Sequence, residues 1–173
     1  KGLEPLANLI LLQKMTETPL EEAKKYINPE KEVNTAEDAL NGAKDILAES
    51  VSDNADFRTH IRELTMKHGQ LLSAAKDPEA ESVYEMYYEF SESLSKLAGH
   101  RILAISRGEK EKFLTVKIDA PVDRILSYLD RKLITAPSAP TAAVLHEVTE
   151  DAYNRLIAPA IEREIRNDLF EKA

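Results

Sequence analysis

Residues 34–47 read Asn34-Thr-Ala-Glu-Asp-Ala-Leu-Asn-Gly-Ala-Lys-Asp-Ile-Leu47. Asn34 and Thr35 offer side-chain oxygens to the unpaired N–H groups at a helix start, and Glu37 and Asp38 place carboxylates at its positive end. Ala36, Leu40, Ala43, Ile46 and Leu47 then share one stripe at helical spacing. The segment reads as an amphipathic helix, and the pattern recurs on both sides of it.

Towards the N-terminus, Leu6, Leu9, Ile10 and Gln13 trace a helical face from Pro5 to about Met15. Thr18-Pro19 with Glu21 predicts an N-cap, a first-turn proline and a capping acid for a short helix ending near Tyr26. Towards the C-terminus, Ser52-Asp53-Asn54 resets the chain, and Phe57, Ile61, Leu64 and Met66 continue the periodicity to a stop at His68-Gly69. Asp77-Pro78 reads as the cap of a further helix carrying Val83, Tyr84, Tyr87, Tyr88, Ser91 and Leu94 to about Leu97.

The signal changes after Gly99. Residues 100–108 read as a helix in preference to a hairpin strand, whereas Phe113-Leu-Thr-Val-Lys-Ile118 is short, apolar and β-branched, and predicts a strand. A strand needs a partner, either residues 101–106 or a segment outside this chain. Asp119-Ala-Pro121 caps a helix through Val122, Ile125, Leu126 and Leu129 to about Ile134, and Thr135 to Pro140 is a loop. Val144, Val148, Ala152 and Leu156 mark a long helix, which Pro159 should kink or replace with a new helix carrying Ile161, Ile165 and Leu169. The expected fold is therefore all-α and multihelical, with at most one short strand or hairpin near residues 101–118.

Composition agrees. Only 5 glycines occur among 173 residues, so turns rely on capping side chains rather than on glycine-rich loops. With no cysteine, a disulfide scaffold and a thiolate zinc site are both excluded. The longest apolar run, Leu9-Ile-Leu-Leu12, is far short of a membrane span, and the expected setting is the cytoplasm. Opening on Lys1 without a signal-type apolar core, the sequence reads as an interior piece of a longer protein.

The net charge of −8 argues against a dedicated phosphate-backbone binder. Residues 1–98 carry 11 Lys and Arg against 19 Asp and Glu, whereas residues 99–173 carry 12 of each. This suggests two parts, an acidic N-terminal helical part (1–98) and a central helical part (99–173), packed together as one fragment.

Catalytic motifs are missing. There is no Gly-x-Ser-x-Gly elbow, and Gly2, Gly42, Gly69, Gly99 and Gly108 never fall at phosphate-loop or dinucleotide spacing. His60 with Asp56 and Glu63 could share a helix face as metal ligands, but that spacing is routine for surface ion pairs, and no metal or other cofactor is expected. Tyr84, Tyr87, Tyr88 and Phe90 could stack on bases, yet Glu81, Glu85, Glu89 and Glu92 between them would repel phosphate, so packing is the better reading. The candidate nucleic-acid contact is the stretch His100 to Lys112, through Arg101, Arg107, Lys110 and Lys112. Residues 100–132 hold 8 Lys and Arg against 5 acids. The competing reading pairs Arg101 and Arg107 with carboxylates.

Four blocks together resemble one family: Gly2-Leu-Glu-Pro-Leu-Ala7, Ala39-Leu-Asn-Gly-Ala-Lys-Asp-Ile-Leu-Ala-Glu49, His100-Arg-Ile-Leu-Ala-Ile-Ser-Arg-Gly-Glu109 and Asp151-Ala-Tyr-Asn-Arg-Leu-Ile-Ala-Pro-Ala-Ile-Glu-Arg-Glu-Ile-Arg166. In order and spacing they resemble the N-terminal and central helical region of the bacterial transcription accessory protein Tex family. The resemblance implies a non-catalytic helical scaffold within a multidomain, nucleic-acid-binding transcription factor. RNA or DNA would be bound mainly by other domains: an RNase-H-like domain, a helix-hairpin-helix module and an OB-fold RNA-binding domain. It also offers a partner for the strand at 113–118, the sheet of the RNase-H-like domain. Where the family usually has Ser-His-Arg, this chain has Gly99-His100-Arg101, so a helix-capping hydroxyl would be lost. An alternative function is an acidic adapter, residues 1–98 docking on a basic partner such as RNA polymerase. A third, a carboxylate-metal enzyme, would require metal retained through purification.

Overall fold

A computed structural model describes residues 2–172, the last by its backbone alone. In chain order the elements are α1 (Glu4–Leu12), α2 (Pro19–Ala23), α3 (Ala36–Asp53), α4 (Ala55–His68), β1 (Gln70–Ala75), β2 (Glu89–Ser93), α5 (Gly99–Lys110), β3 (Leu114–Asp119), α6 (Val122–Leu133), α7 (Thr141–Asp151), a π-helical turn (Ala152–Ile157) and α8 (Ala158–Lys172). Short 3-10 turns fill several of the connections. The helical class is as the sequence predicts. The chain forms two compact units, one from residues 1–58 and 125–159 and the other from 59–124 and 160–173, with boundaries away from residue 98.

The first unit is helical and centred on α3. Thr35 Oγ1 accepts from the Asp38 N–H at 3.1 Å, the cap that the sequence predicts. The buried stripe is Ala36, Ala39, Ala43, Leu47, Ala48 and Val51, so small side chains dominate the contact face and α1, α2, α7 and the π turn can pack closely on it. Leu40 and Ile46 lie at its margin, half-buried. Leu6 and Ile10 of α1 and Leu145 and Val148 of α7 are essentially inaccessible to solvent, each worth about 1.5–3 kcal/mol of apolar burial. The Thr18 cap of α2 also forms, accepting from the Glu21 N–H at 3.3 Å. Pro159 is the second residue of α8, directly after a π-helical turn, a local widening of the helix that is a common accompaniment of a break in the i→i−4 ladder. The π turn ahead of it bonds the Ala158 N–H to Tyr153 O, and the helical run continues from Thr141 to Lys172 without a break, so Pro159 is met by a π turn rather than by the start of a separate helix.

The second unit carries a three-stranded antiparallel sheet in the order β2-β1-β3. Leu71 faces Glu92 on one side and Ile118 on the other, and Ser73 faces Phe90 and Val116. Leu71, Ser73, Leu114 and Val116 are buried, while Ala74, Ser91, Thr115 and Lys117 are exposed, so one face is packed and the other open. Ile102 and Ile105 of α5 and Ile161 and Ile165 of α8 add to this unit's core.

Three expectations fail here. The strand at 113–118 exists as β3, but its partner is β1, so it neither extends the sheet of an RNase-H-like domain nor pairs with residues 101–106, which are helical. The sheet also exceeds the single strand or hairpin that was expected. Residues 78–97 are not a helix: Glu85–Tyr87 make one 3-10 turn and residues 89–93 are β2. The tyrosines at 84 and 87 mimic helical spacing because one turn buries both, and from residue 89 exposure alternates with period two. Residues 70–75, directly after the helix stop at Gly69, carry no β-branched or aromatic side chain to announce a central strand.

Candidate nucleic-acid contact surface

The basic stretch lies on α5 and the turn after it. Ile102, Ile105 and Gly108, three residues apart, form the buried face of α5, against β3. Ala98 is the N-cap and makes no side-chain cap bond. Gly99 is therefore the first helical residue rather than the cap, and a serine at position 99 would be a first-turn residue. At the other end the Phe113 N–H bonds Gly108 O at 2.9 Å, and Lys112 takes a left-handed φ of 69°, turning the chain into β3. A Cβ on Gly108 would collide with Leu114 Cδ1 and stand 2.8 Å from Leu114 Cγ, so close packing of helix on strand requires glycine.

The four candidate residues do not form one cluster. Arg101 donates from Nη1 to Glu92 Oε2 at 2.8 Å, with its guanidinium 5.8 Å from the Phe90 ring centroid, and is half-buried. For this residue the pairing alternative is realised. Arg107, Lys110 and Lys112 are exposed. Arg107 and Lys110 share a face by their three-residue spacing, and Lys112 follows in the turn.

Neighbouring acids are occupied. Glu109 pairs with Arg166 Nη2 of α8. Glu111 accepts from the Tyr84 hydroxyl, a bond that raises the Tyr84 phenol above its ordinary pKa, aided by burial and opposed by the charge of Arg107. The Tyr88 hydroxyl donates to Ala80 O at 2.7 Å, and Tyr87 meets Phe90 edge-on with ring centroids 5.2 Å apart. These aromatic rings pack internally, with no stacking platform among them.

The first unit holds a separate ionic network. Arg155 grips Asp151 through two bonds, at 3.0 and 2.8 Å, and reaches Asp45 at 3.5 Å; Lys44 pairs with Glu147. The Arg155 bonds hold the Asp151 carboxyl below its ordinary pKa. Among the described residues, no group of three or more His, Cys, Asp or Glu side chains is placed to hold a metal ion. Among them, too, no helix is long and apolar enough to cross a membrane.

The four sequence blocks meet pairwise within the units. Leu3 of the first block fills the space over Gly42 of the second, Asp45 of the second reaches Arg155 of the fourth, and Glu109 closing the third pairs with Arg166 closing the fourth. The Tex central region-like family matches the chain over residues 14–173.

The chain belongs to the Tex family.

Its similarity to Protein tex of Bordetella pertussis is 34% identity, covering 99% of this chain and 24% of that protein. Uncharacterized protein YdcI of Bacillus subtilis is 49% identical, covering all of this chain and 24% of its own length. A Transcription elongation factor SPT6 homolog of Arabidopsis thaliana is 26% identical over 94% of this chain and 10% of that protein. This Tex-family chain thus spans about a quarter or less of the curated relatives it matches. Sequence reasoning missed Arg166, although its position and that of Glu109 at the ends of two Tex-like blocks marked both.

Proposed function

We propose that this chain is the non-catalytic helical scaffold of a cytoplasmic Tex-family transcription accessory protein, in which RNA or DNA is bound mainly by other domains of the longer protein. The observation that carries the reading is the family match over residues 14–173 in a chain that spans only a quarter of Protein tex. The scaffold positions its neighbours, an RNase-H-like domain among them, and serves the transcription machinery through them. Arg107, Lys110 and Lys112 add a minor phosphate contact from the exposed end of α5. Arg101 acts within the fold, holding β2 to α5 through Glu92.

The test is made in the longer protein. With Arg107, Lys110 and Lys112 all changed to alanine, affinity for labelled single-stranded RNA should fall by no more than about tenfold at moderate salt, since three exposed cations account for few displaced counterions. Complete loss of binding, with the fold intact, would make this stretch the principal site and overturn the scaffold reading.

A further inference from the structure

The two edges of the sheet are treated differently. On β3, the Val116 carbonyl and the Ile118 N–H point away from β1 and are met by α8: Arg166 Nη1 donates to Val116 O at 3.3 Å, and Glu162 Oε1 accepts from Ile118 N–H at 3.4 Å. On β2, the Ala75 N–H bonds Tyr88 O and the Leu94 N–H bonds Gly69 O, which fixes the alternation. Phe90 and Glu92 turn their backbone groups towards β1, so Glu89, Ser91 and Ser93 turn theirs outward. Glu89 and Ser91 are exposed, and among the described residues no strand lies on that side of β2.

A groove adjoins the start of β2, lined by Ala74, Ala75, Pro78, Met86 and Tyr88 together with the acids Glu85 and Glu89. Met86 is 70% exposed and Val83, three residues before it, 85%, so both present apolar surface beside the groove. Residues 77–92 carry six carboxylates and no lysine or arginine, and of these Glu92 is already paired with Arg101.

We propose that the free edge of β2, with the adjoining groove, docks an extended basic protein segment as a fourth strand. Backbone pairing with Glu89, Ser91 and Ser93 supplies the attachment, and alternate side chains supply selectivity. Lysine or arginine side chains of the segment meet Glu85 and Glu89, and apolar ones cover Met86. A second copy of this chain is the wrong occupant, because it would bring together two segments 77–92 that each carry six carboxylates and no lysine or arginine to offset them.

The experiment uses the whole chain and a fluorescein-labelled peptide of alternating lysine and valine, with a glutamate-valine peptide as control. Hydrogen exchange at the Ser91 and Ser93 amides should slow when the basic peptide is added. Ser91→Pro removes an outward N–H that the sheet does not use, so it should lower peptide affinity about tenfold, the equivalent of one net hydrogen bond, without shifting the melting temperature. Equal affinity for a folded Ser91→Pro chain, or no slowing at Ser91 and Ser93 in the unaltered chain, would overturn the proposal. So would concentration-dependent self-association abolished by Ser91→Pro, which would make the occupant a second copy. Should Ser91→Pro fail to fold, the exchange result on the unaltered chain decides alone.

Discussion

Gln13 Oε1 accepts a hydrogen bond from the Thr135 backbone N–H at 2.8 Å, joining residues 122 positions apart in sequence. The same oxygen accepts from the Ala136 N–H at 3.1 Å, and Gln13 Nε2 donates to Leu133 O at 2.7 Å. One buried amide thus satisfies the backbone at the end of α6, from the left-handed residue (φ 59°) that ends α1.

Gln13→Ala should therefore leave these three backbone groups without their partner, at a cost of about 3 kcal/mol, counting about 1 kcal/mol net for each bond replaced poorly by water. Urea unfolding should show the midpoint falling with the slope unchanged. A midpoint within error of the parent would show that water substitutes fully.

Gly108→Ala should destabilise by about 1–3 kcal/mol, the usual range for overpacking, because the added methyl meets Leu114 and, at 3.2 Å, Tyr84 Cδ1. Alanine is the better helix former, so propensity alone predicts the opposite sign. Thermal melting distinguishes the two.

Arg166→Ala removes both the pair with Glu109 and the bond to the Val116 carbonyl. The expected cost is about 1–2 kcal/mol, typical for a partly exposed charged hydrogen-bond donor. Light scattering at high protein concentration should also rise, since an uncovered strand edge invites pairing.

His146 stands between carboxylates, with Nδ1 2.7 Å from Asp130 Oδ2 and Nε2 2.7 Å from Glu150 Oε1. The hydrogen bond to Asp130, and then the charges of Asp130, Glu150 and Glu147, raise its pKa above the ordinary 6.5 against partial desolvation. Its contribution to stability is therefore full below the unfolded value and is lost as the pH rises through the raised folded value. His146→Gln should cost about 0.5 kcal/mol in acid solution, the scale of a half-exposed ion pair, and less in alkaline solution. Melting curves across the pH range check the sign, and an equal loss in alkaline solution would contradict it.

The helical framework was legible because caps and stripes are local: Thr18, Thr35 and the run from Val122 to Leu129 act within their own turns. The sheet was not. Whether residues 70–75 form a strand depends on β2 and β3, which lie up to 49 positions away in the pairing of Gln70 with Asp119, and a short segment carries no trace of partners that distant. Residues 84–97 misled for a related reason: glutamate is a good helix former, but burial of Tyr84 and Tyr87 by a single turn outweighs propensity. Of the candidate stretch, the helical placement of Arg101 and Arg107 was readable, since a helix was expected over residues 100–108. The withdrawal of Arg101 into a pair with Glu92 was not, because it depends on β2 lying beside α5.

The central claim, that this region is scaffold and nucleic acid is held elsewhere in the longer protein, is tested most directly by fluorescence anisotropy. Labelled single-stranded RNA and duplex DNA are titrated with this chain and with the full-length protein across a salt series. The account predicts weak binding by this chain, with a log–log salt slope on RNA no steeper than about −2, as three phosphate contacts would give. Affinity and slope equal to those of the full-length protein would contradict it.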